Sequence, residues 1–442
     1  MQREFTWHSR PARSWTCQML SWTTMIALAM CGAGLWPDIA NAAPCSGTSI
    51  SACCTITKAG TYQVMASGGS LSSMSGDCID VAAARVSLNL NEAQITGSGS
   101  GVGVHVLSGA TNAIVMGGAG SGATITGFTT GLQTDASLGF FALISVENSA
   151  GDGVVVNGTQ NTFADISEAS NHGHGLVDNA DGLALLGFFT DNNGNDGITV
   201  NSANNIRFDS VSSDGNQGNG IVLQKVRHAV VSLSEAGSFS ANTLNGLVVN
   251  GGGNNSFNEL ETSGNQQNGV LVENGSSSNS FSELTAGGNQ ADGVSVQSSN
   301  SNQFSNSSAD QNHLNGFELD GSNDNGLQGV SAESNGGAGI WLNGSSTNTL
   351  MYFTANGNST SGVYIGCSAT TEPSGTTCTA FPSSNSNFLS DGTSESNTVD
   401  IGIDLNDHQN RVVDNTATNL EDSNPACKTN IWEPNAPTGC AH

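Results

Sequence analysis

The sequence predicts an all-β fold, a single-stranded parallel β-helix of about 13 coils with disulfide-stabilised ends. Three observations predict it. A phrase of three residues, most often Asn or Asp, then Gly, then an apolar residue, returns ten times from Asp152-Gly153-Val154 to Ser361-Gly362-Val363, at steps of 22 to 26 residues. After each glycine the apolar residues alternate, as in Val154 and Val156, Ile198 and Val200, or Val294 and Val296. About ten residues later comes an Asn-led segment, such as Asn161-Thr162-Phe163, Asn255-Ser256-Phe257 or Asn302-Gln303-Phe304. A fixed period of this size means stacked units, none of which buries its apolar face without a neighbour. Period-two alternation of aliphatic residues is the strand signature, whereas Gly, Ser, Asn and Asp between the strands disfavour helix.

Taken in order, residues 1–42 read as a signal peptide. Arg3, Arg10 and Arg13 form a positive start, Met25 to Trp36 a short apolar stretch, and Ala40-Asn41-Ala42 a small-x-small cleavage site. Residues 43–78 read as an N-terminal cap and 79–366 as the β-helix. A disulfide loop insertion is expected over 367–384, the last coils over 385–420 and a C-terminal cap over 421–442. Fainter repeats at Ile79-Asp80-Val81, Gly103-Val104-His105-Val106 and Gly131-Leu132-Gln133 carry the helix towards its start. Asn and Gly supply the bends, since both tolerate left-handed backbone, and asparagines at one position per coil can bond along the stack.

Eight cysteines follow the leader, four at each end: Cys45, Cys53, Cys54 and Cys78, then Cys367, Cys378, Cys427 and Cys440. An even count in an exported chain points to disulfides, placed where end coils lack a neighbour. The expected pairs are Cys367–Cys378 and Cys427–Cys440. Cys53 and Cys54 are expected not to pair with each other, which leaves them to Cys45 and Cys78 in either order.

On these repeats the chain, from about Ile79 to Asp414, resembles the right-handed parallel β-helix repeat proteins of the pectin-lyase-like superfamily. The resemblance implies right-handed coils. The Cys53-Cys54-Thr55-Ile56 start and the Asn430-Ile431-Trp432 tail resemble the end caps of secreted bacterial members. That fold hosts lyases, hydrolases, epimerases and adhesins, so function has to be sought in the residues.

After residue 42 the chain keeps 7 Lys and Arg against 35 Asp and Glu, a net charge of −28. Such a surface excludes nucleic acid and anionic lipid as partners, and no later stretch is long enough to span a bilayer. The expectation is a secreted or periplasmic monomer whose partner is a polysaccharide or cell-envelope glycan. No motif identifies a cofactor with certainty; calcium is the candidate, a cation that groove carboxylates would take to bridge an acidic polymer.

Candidate chemistry falls in two groups. Asp152, His174 and Asp196 open successive coils, and stacking would set the imidazole between two carboxylates as a general acid or base. The other reading makes them turn residues, because His174 stands where other coils carry Asn or Asp. Gly173-His174-Gly175, with Arg207 downstream, resembles polygalacturonase-type glycoside hydrolases. The paired aspartates and the Asn-Thr-Asp of those enzymes are missing here, which puts that activity in doubt. Arg207 completes the catalytic candidates. Asp178 and Asp181, in the coil where alternation fails, join Lys225, Arg227 and His228 as candidate substrate-binding residues, the cations forming a patch on an acidic rod. The competing reading of that patch is surface pairing of Arg207 with Asp209 or Asp214. Asp191-Asn192-Asn193-Gly194-Asn195-Asp196 imitates a calcium loop but lacks Gly at its sixth position and Glu at its twelfth. Glu259 and Glu283 could share a cation. A non-catalytic binding or scaffold role is favoured; the alternative is a polysaccharide lyase or glycoside hydrolase acting on an acidic polysaccharide.

Overall fold

The computed structural model describes residues 43–64, 69–233, 237–366, 383–404, 407–424, 429–434 and 437. The predicted signal peptide and the cysteines at 367, 378, 427 and 440 lie outside them.

One strand per coil builds a 16-stranded parallel sheet. It runs from Cys54–Ile56 through Ile79–Val81, Val102–Val106, Thr130–Thr134, Val154–Val156, Leu176–Asp178 and Ile198–Asn201 to Leu420–Asp422. A second sheet carries the Asn-led strands, such as Thr162–Ala169 and Ser280–Ser282, together with Ala184–Asp191 and Arg207–Ser212, which Leu183 and Ile206 lead. Val154, Leu176, Ile198 and Ile221 are successive partners, so the glycine phrase marks true coil register. The sixteen strands of the first sheet make about fifteen turns rather than thirteen, because Cys54–Ile56, Val399–Ile403 and Leu420–Asp422 extend the stack where the repeat phrase does not mark it. At ~4.8 Å per coil the stack is roughly 70 Å long.

Inward residues of both sheets share one core. Phe257, Phe281 and Phe304 stack at 4.6 and 4.7 Å with nearly parallel rings. Phe141 and Phe163 do the same at 4.6 Å. Ring spacing therefore equals coil spacing, which converts burial into a continuous aromatic column.

Asparagines close the turns in three ladders. One runs through Asn255, Asn279, Asn302, Asn325 and Asn348, each after the first offering its Oδ1 to the backbone N–H and side-chain amide of the asparagine one coil before. A second runs through Asn171, Asn193, Asn216, Asn242, Asn265 and Asn289. The third uses the residue before the repeat glycine and runs in the opposite sense, with Asn219 Oδ1 accepting from Asn245 and Asn245 Oδ1 from Asn268. Residues just before the first ladder, such as Asn254, Ser278 and Ser301, have φ of 57, 58 and 59°, the left-handed bend that the turn requires.

At the N-terminal end the disulfides are Cys45–Cys54 and Cys53–Cys78, which decides the order the spacing left open. Among the described residues no helix is long and apolar enough to cross a membrane.

Candidate functional site

The outer face of the first sheet shows one residue per coil: Asp80, His105, Gln133, Val155, Val177, Thr199, Val222, Val248 and Leu271 follow each other in register. Two polar rims flank this strip. Three residues upstream in each coil stand Asp152, His174, Asp196, Asn219 and Asn245; two residues downstream stand Asp135, Asn157, Asn179, Asn201, Gln224 and Asn250. The rims shelter the floor so well that Val222 and Val248, although pointing away from the core, are only 7% and 6% exposed.

The predicted stack of Asp152, His174 and Asp196 exists. Asp152 accepts the backbone N–H of His174 through Oδ1 at 2.8 Å. His174 Nδ1 lies 3.5 Å from Asp196 Oδ2, and Thr199 Oγ1 lies 3.3 Å from the same nitrogen. Asp196 Oδ1 also takes the Asn219 N–H, so the column works as part of the third ladder while leaving the imidazole edge at the rim. Beneath it Glu168 is fully buried, with no hydrogen-bond partner for either carboxylate oxygen among the described residues. Burial, reinforced by the charge of Asp152, pushes its carboxyl well above the usual range.

Arg207 does not join that column. Its strand belongs to the second sheet, where it faces outward between buried Ile206 and Phe208. There it pairs with Asp209 at 3.1 Å and lines a depression of about 470 Å³ together with Asn205, Asp209, His228 and Val230. The four catalytic candidates thus divide between the outer faces of two sheets. Lys225 and Arg227 are exposed on either side of buried Val226, as alternation predicts.

Asp178 requires a correction. Its side chain enters the core between Val156 and Val200, wholly buried, with Oδ1 accepting the Ala180 N–H and Oδ2 unpartnered. Period-two alternation fixes its direction, so the carboxylate meets no substrate; burial pushes its pKa up to about 7. Asp181 is exposed but committed, holding the Asn204 backbone and side-chain amides through Oδ1. The calcium-loop imitation is a turn between sheets: Asn193 points inward in the second ladder and Asp191 accepts the Asp214 N–H. Glu259 and Glu283 are left-handed residues on the exposed turn, with φ of 56 and 57°.

One constellation was missed at the sequence level. His105 bridges two aspartates, its Nδ1 3.3 Å from Asp77 Oδ2 and its Nε2 2.9 Å from Asp135 Oδ2. Burial opposes a charged ring, yet the bonds from Asp77 and Asp135 outweigh it and hold His105 above the usual histidine range. Next to it Asp80, buried, is raised by burial and by the Asp77 charge. The signal was present: laying Ile79-Asp80-Val81 over Val104-His105-Val106 sets Asp80 against His105. From Asp135 an amide line continues along the rim, Asn157 donating to Asp135, Asn179 to Asn157 and Asn201 to Asn179.

Residues 245–417 match the family model described as the right handed beta helix region. No curated protein sequence matches the chain. Similar solved structures include the periplasmic alginate epimerase AlgG, at 12% identity over 83% of this chain and 79% of that chain, with a TM-score of 0.46. The A-module of an Azotobacter vinelandii mannuronan C-5 epimerase is 14% identical over 86% of this chain and 92% of that chain, with a TM-score of 0.40. A pectate lyase is 16% identical over 66% of this chain and 73% of that chain, also with a TM-score of 0.40. Every strand pairing among the described residues is parallel and the first sheet takes one strand from each repeat, so the described chain folds as a parallel β-helix, of which residues 245–417 match the right handed beta helix region.

Proposed function

We propose that this chain is an exported protein, its first 42 residues a signal peptide, that binds an extracellular polysaccharide along the outer face of the first sheet. The carrying observation is the floor of Val155, Val177, Thr199, Val222, Val248 and Leu271, apolar at every step but one, between two rims of amides, carboxylates and the His174 imidazole. A furrow with a polar group on each rim at every step suits a linear polymer whose sugar rings lie on apolar side chains while hydroxyls bond to the rims. Net charge favours a neutral glycan, or an acidic one bridged by a cation.

A second reading draws on the His174 imidazole at the rim, 3.5 Å from the Asp196 carboxylate, as a general acid or base. One experiment separates the two. The secreted protein is incubated with immobilised neutral and acidic polysaccharides, with and without calcium. Retention without products supports the binding role. New reducing ends would mean hydrolysis and ultraviolet-absorbing ends elimination, and either product lost in His174→Ala would establish the second reading. Neither retention nor product across the panel would remove the polysaccharide assignment. Because Arg207 and Arg227 lie off the furrow, Arg207→Ala/Arg227→Ala is expected to leave retention unchanged.

A further inference from the structure

The first coils of the same sheet carry a group whose chemistry differs from the furrow. Asp77, Asp80 and His105 each offer one ligand atom, and these atoms lie within 4.8 Å of one another; among the described residues no other set of three His, Cys, Asp or Glu side chains does so. Each carboxylate has one oxygen spent on a contact that fixes its direction. Asp77 Oδ1 accepts the Val102 N–H at 2.7 Å, and Asp80 Oδ2 accepts the Thr55 hydroxyl at 3.1 Å. The remaining Asp77 oxygen, Oδ2, faces the His105 ring. Asp80 is 2% exposed and its Oδ1 meets no donor, while its carboxyl lies close enough to that of Asp77 for the two to share a proton when no cation is bound. A buried carboxylate oxygen left without a donor is costly unless a cation or proton meets it.

We infer that Asp77 Oδ2, Asp80 Oδ1 and His105 Nδ1 form a three-ligand site for a divalent transition-metal ion of the zinc class, with Asp135 orienting the imidazole from its far side. Two carboxylates and one imidazole select against calcium, which takes oxygen ligands, and fit an ion of intermediate softness. Bonds of roughly 2.0–2.2 Å to such an ion require only small side-chain movements from the present spread. A ligating histidine regularly gives its other ring N–H to a carboxylate, the relation Asp135 holds to His105 Nε2 at 2.9 Å. Asp135 is itself held by Gln133 Nε2 and Asn157 Nδ2. Three protein ligands leave positions for water or a ligand oxygen, and side-chain exposures of 15% for His105 and 18% for Asp77 leave the site open to solvent. The inference does not depend on the polysaccharide reading.

The test is calorimetric titration of the secreted, metal-stripped protein with Zn²⁺ and, separately, Ca²⁺ at neutral pH, followed by Co²⁺ absorption spectroscopy. The expected result is one Zn²⁺ per chain, bound at least tenfold more tightly than Ca²⁺, with Co²⁺ d–d bands that show nitrogen and oxygen ligation. His105→Gln and Asp80→Asn should each weaken Zn²⁺ by 100-fold or more and abolish the bands. Asp135→Asn should weaken it about 10- to 100-fold with the bands kept. His174→Ala should leave both unchanged. Circular dichroism on each variant confirms that the coils remain folded. Zn²⁺ affinity equal in wild type and His105→Gln, or no stoichiometric binding at all, would overturn the site; the Asp77–His105–Asp135 contacts would then be ion pairs only.

Discussion

Asp178 shows how one side chain sets a local cost. Its neighbours in the same inward column are Val156 and Val200, so a carboxylate replaces a methyl-bearing side chain inside the core. Because its pKa in the folded state is about 7, against 3.8 for an ordinary aspartate, the folded chain binds this proton more tightly than the unfolded one. The stabilisation from that proton is full below pH ~4 and is lost as pH rises through ~7, a change on the order of 4 kcal/mol. The stability gained by Asp178→Val should therefore be about 4 kcal/mol larger at pH 8 than at pH 4. Urea denaturation at the two pH values checks this. A gain independent of pH would mean that the carboxyl ionises normally in the core. At this scale the sequence was only half legible: the broken alternation at Asp178 was visible, but a period-two pattern that identifies an inward position also removes that residue from any binding surface.

The ladders are the elements that make coils stack. Asn302 donates to Asn325 Oδ1 and to the Ser276 carbonyl, and accepts from both the backbone and the side-chain amide of Asn279. Asn302→Ala leaves buried donors and acceptors unpaired on both neighbouring coils. We expect a loss of about 3 kcal/mol by chemical denaturation. The same change at the rim residue Asn179, whose bonds to Asn157 and Asn201 are both exposed to solvent, should cost under 1 kcal/mol. Equal losses would contradict the distinction between buried ladder and solvent-exposed rim. The Asn-led column and the glycine-phrase column were readable as repeats. The column through Asn171, Asn193 and Asn216 was not singled out, since those asparagines sit among other Asn, Gly and Ser residues with no apolar marker beside them. Similarly, His105 and Asp135 meet across 30 residues, more than one coil period, so spacing alone did not join them.

On the scale of the molecule, stability resides in contacts between adjacent coils, and an end coil has one neighbour where a central coil has two. The N-terminal disulfides close this gap, with Cys53 and Cys78 tying together strands that begin one coil apart. Reduction is expected to speed amide exchange in Cys54–Ile56 and Gly60–Val64 while Val270–Glu273 and Val294–Gln297 stay protected. Uniform loss of protection would mean that the stack unfolds as a single unit. The stacking order itself followed from sequence because a period of 22 to 26 residues leaves few other ways to bury one apolar face per repeat. The functional surface did not follow, because adjacency across coils and shelter by the rims exist only once the sheets are formed.

The central functional claim is that glycan binding belongs to the first sheet's outer face. Its most direct test compares polysaccharide retention by Val177→Trp, which fills the furrow floor, with retention by Ser282→Trp, which places the same bulk outward on the second sheet. Retention reduced at least tenfold in the first variant and unchanged in the second is the predicted result. Unchanged retention in Val177→Trp, or its loss in Ser282→Trp alone, would place binding on another surface and contradict the claim.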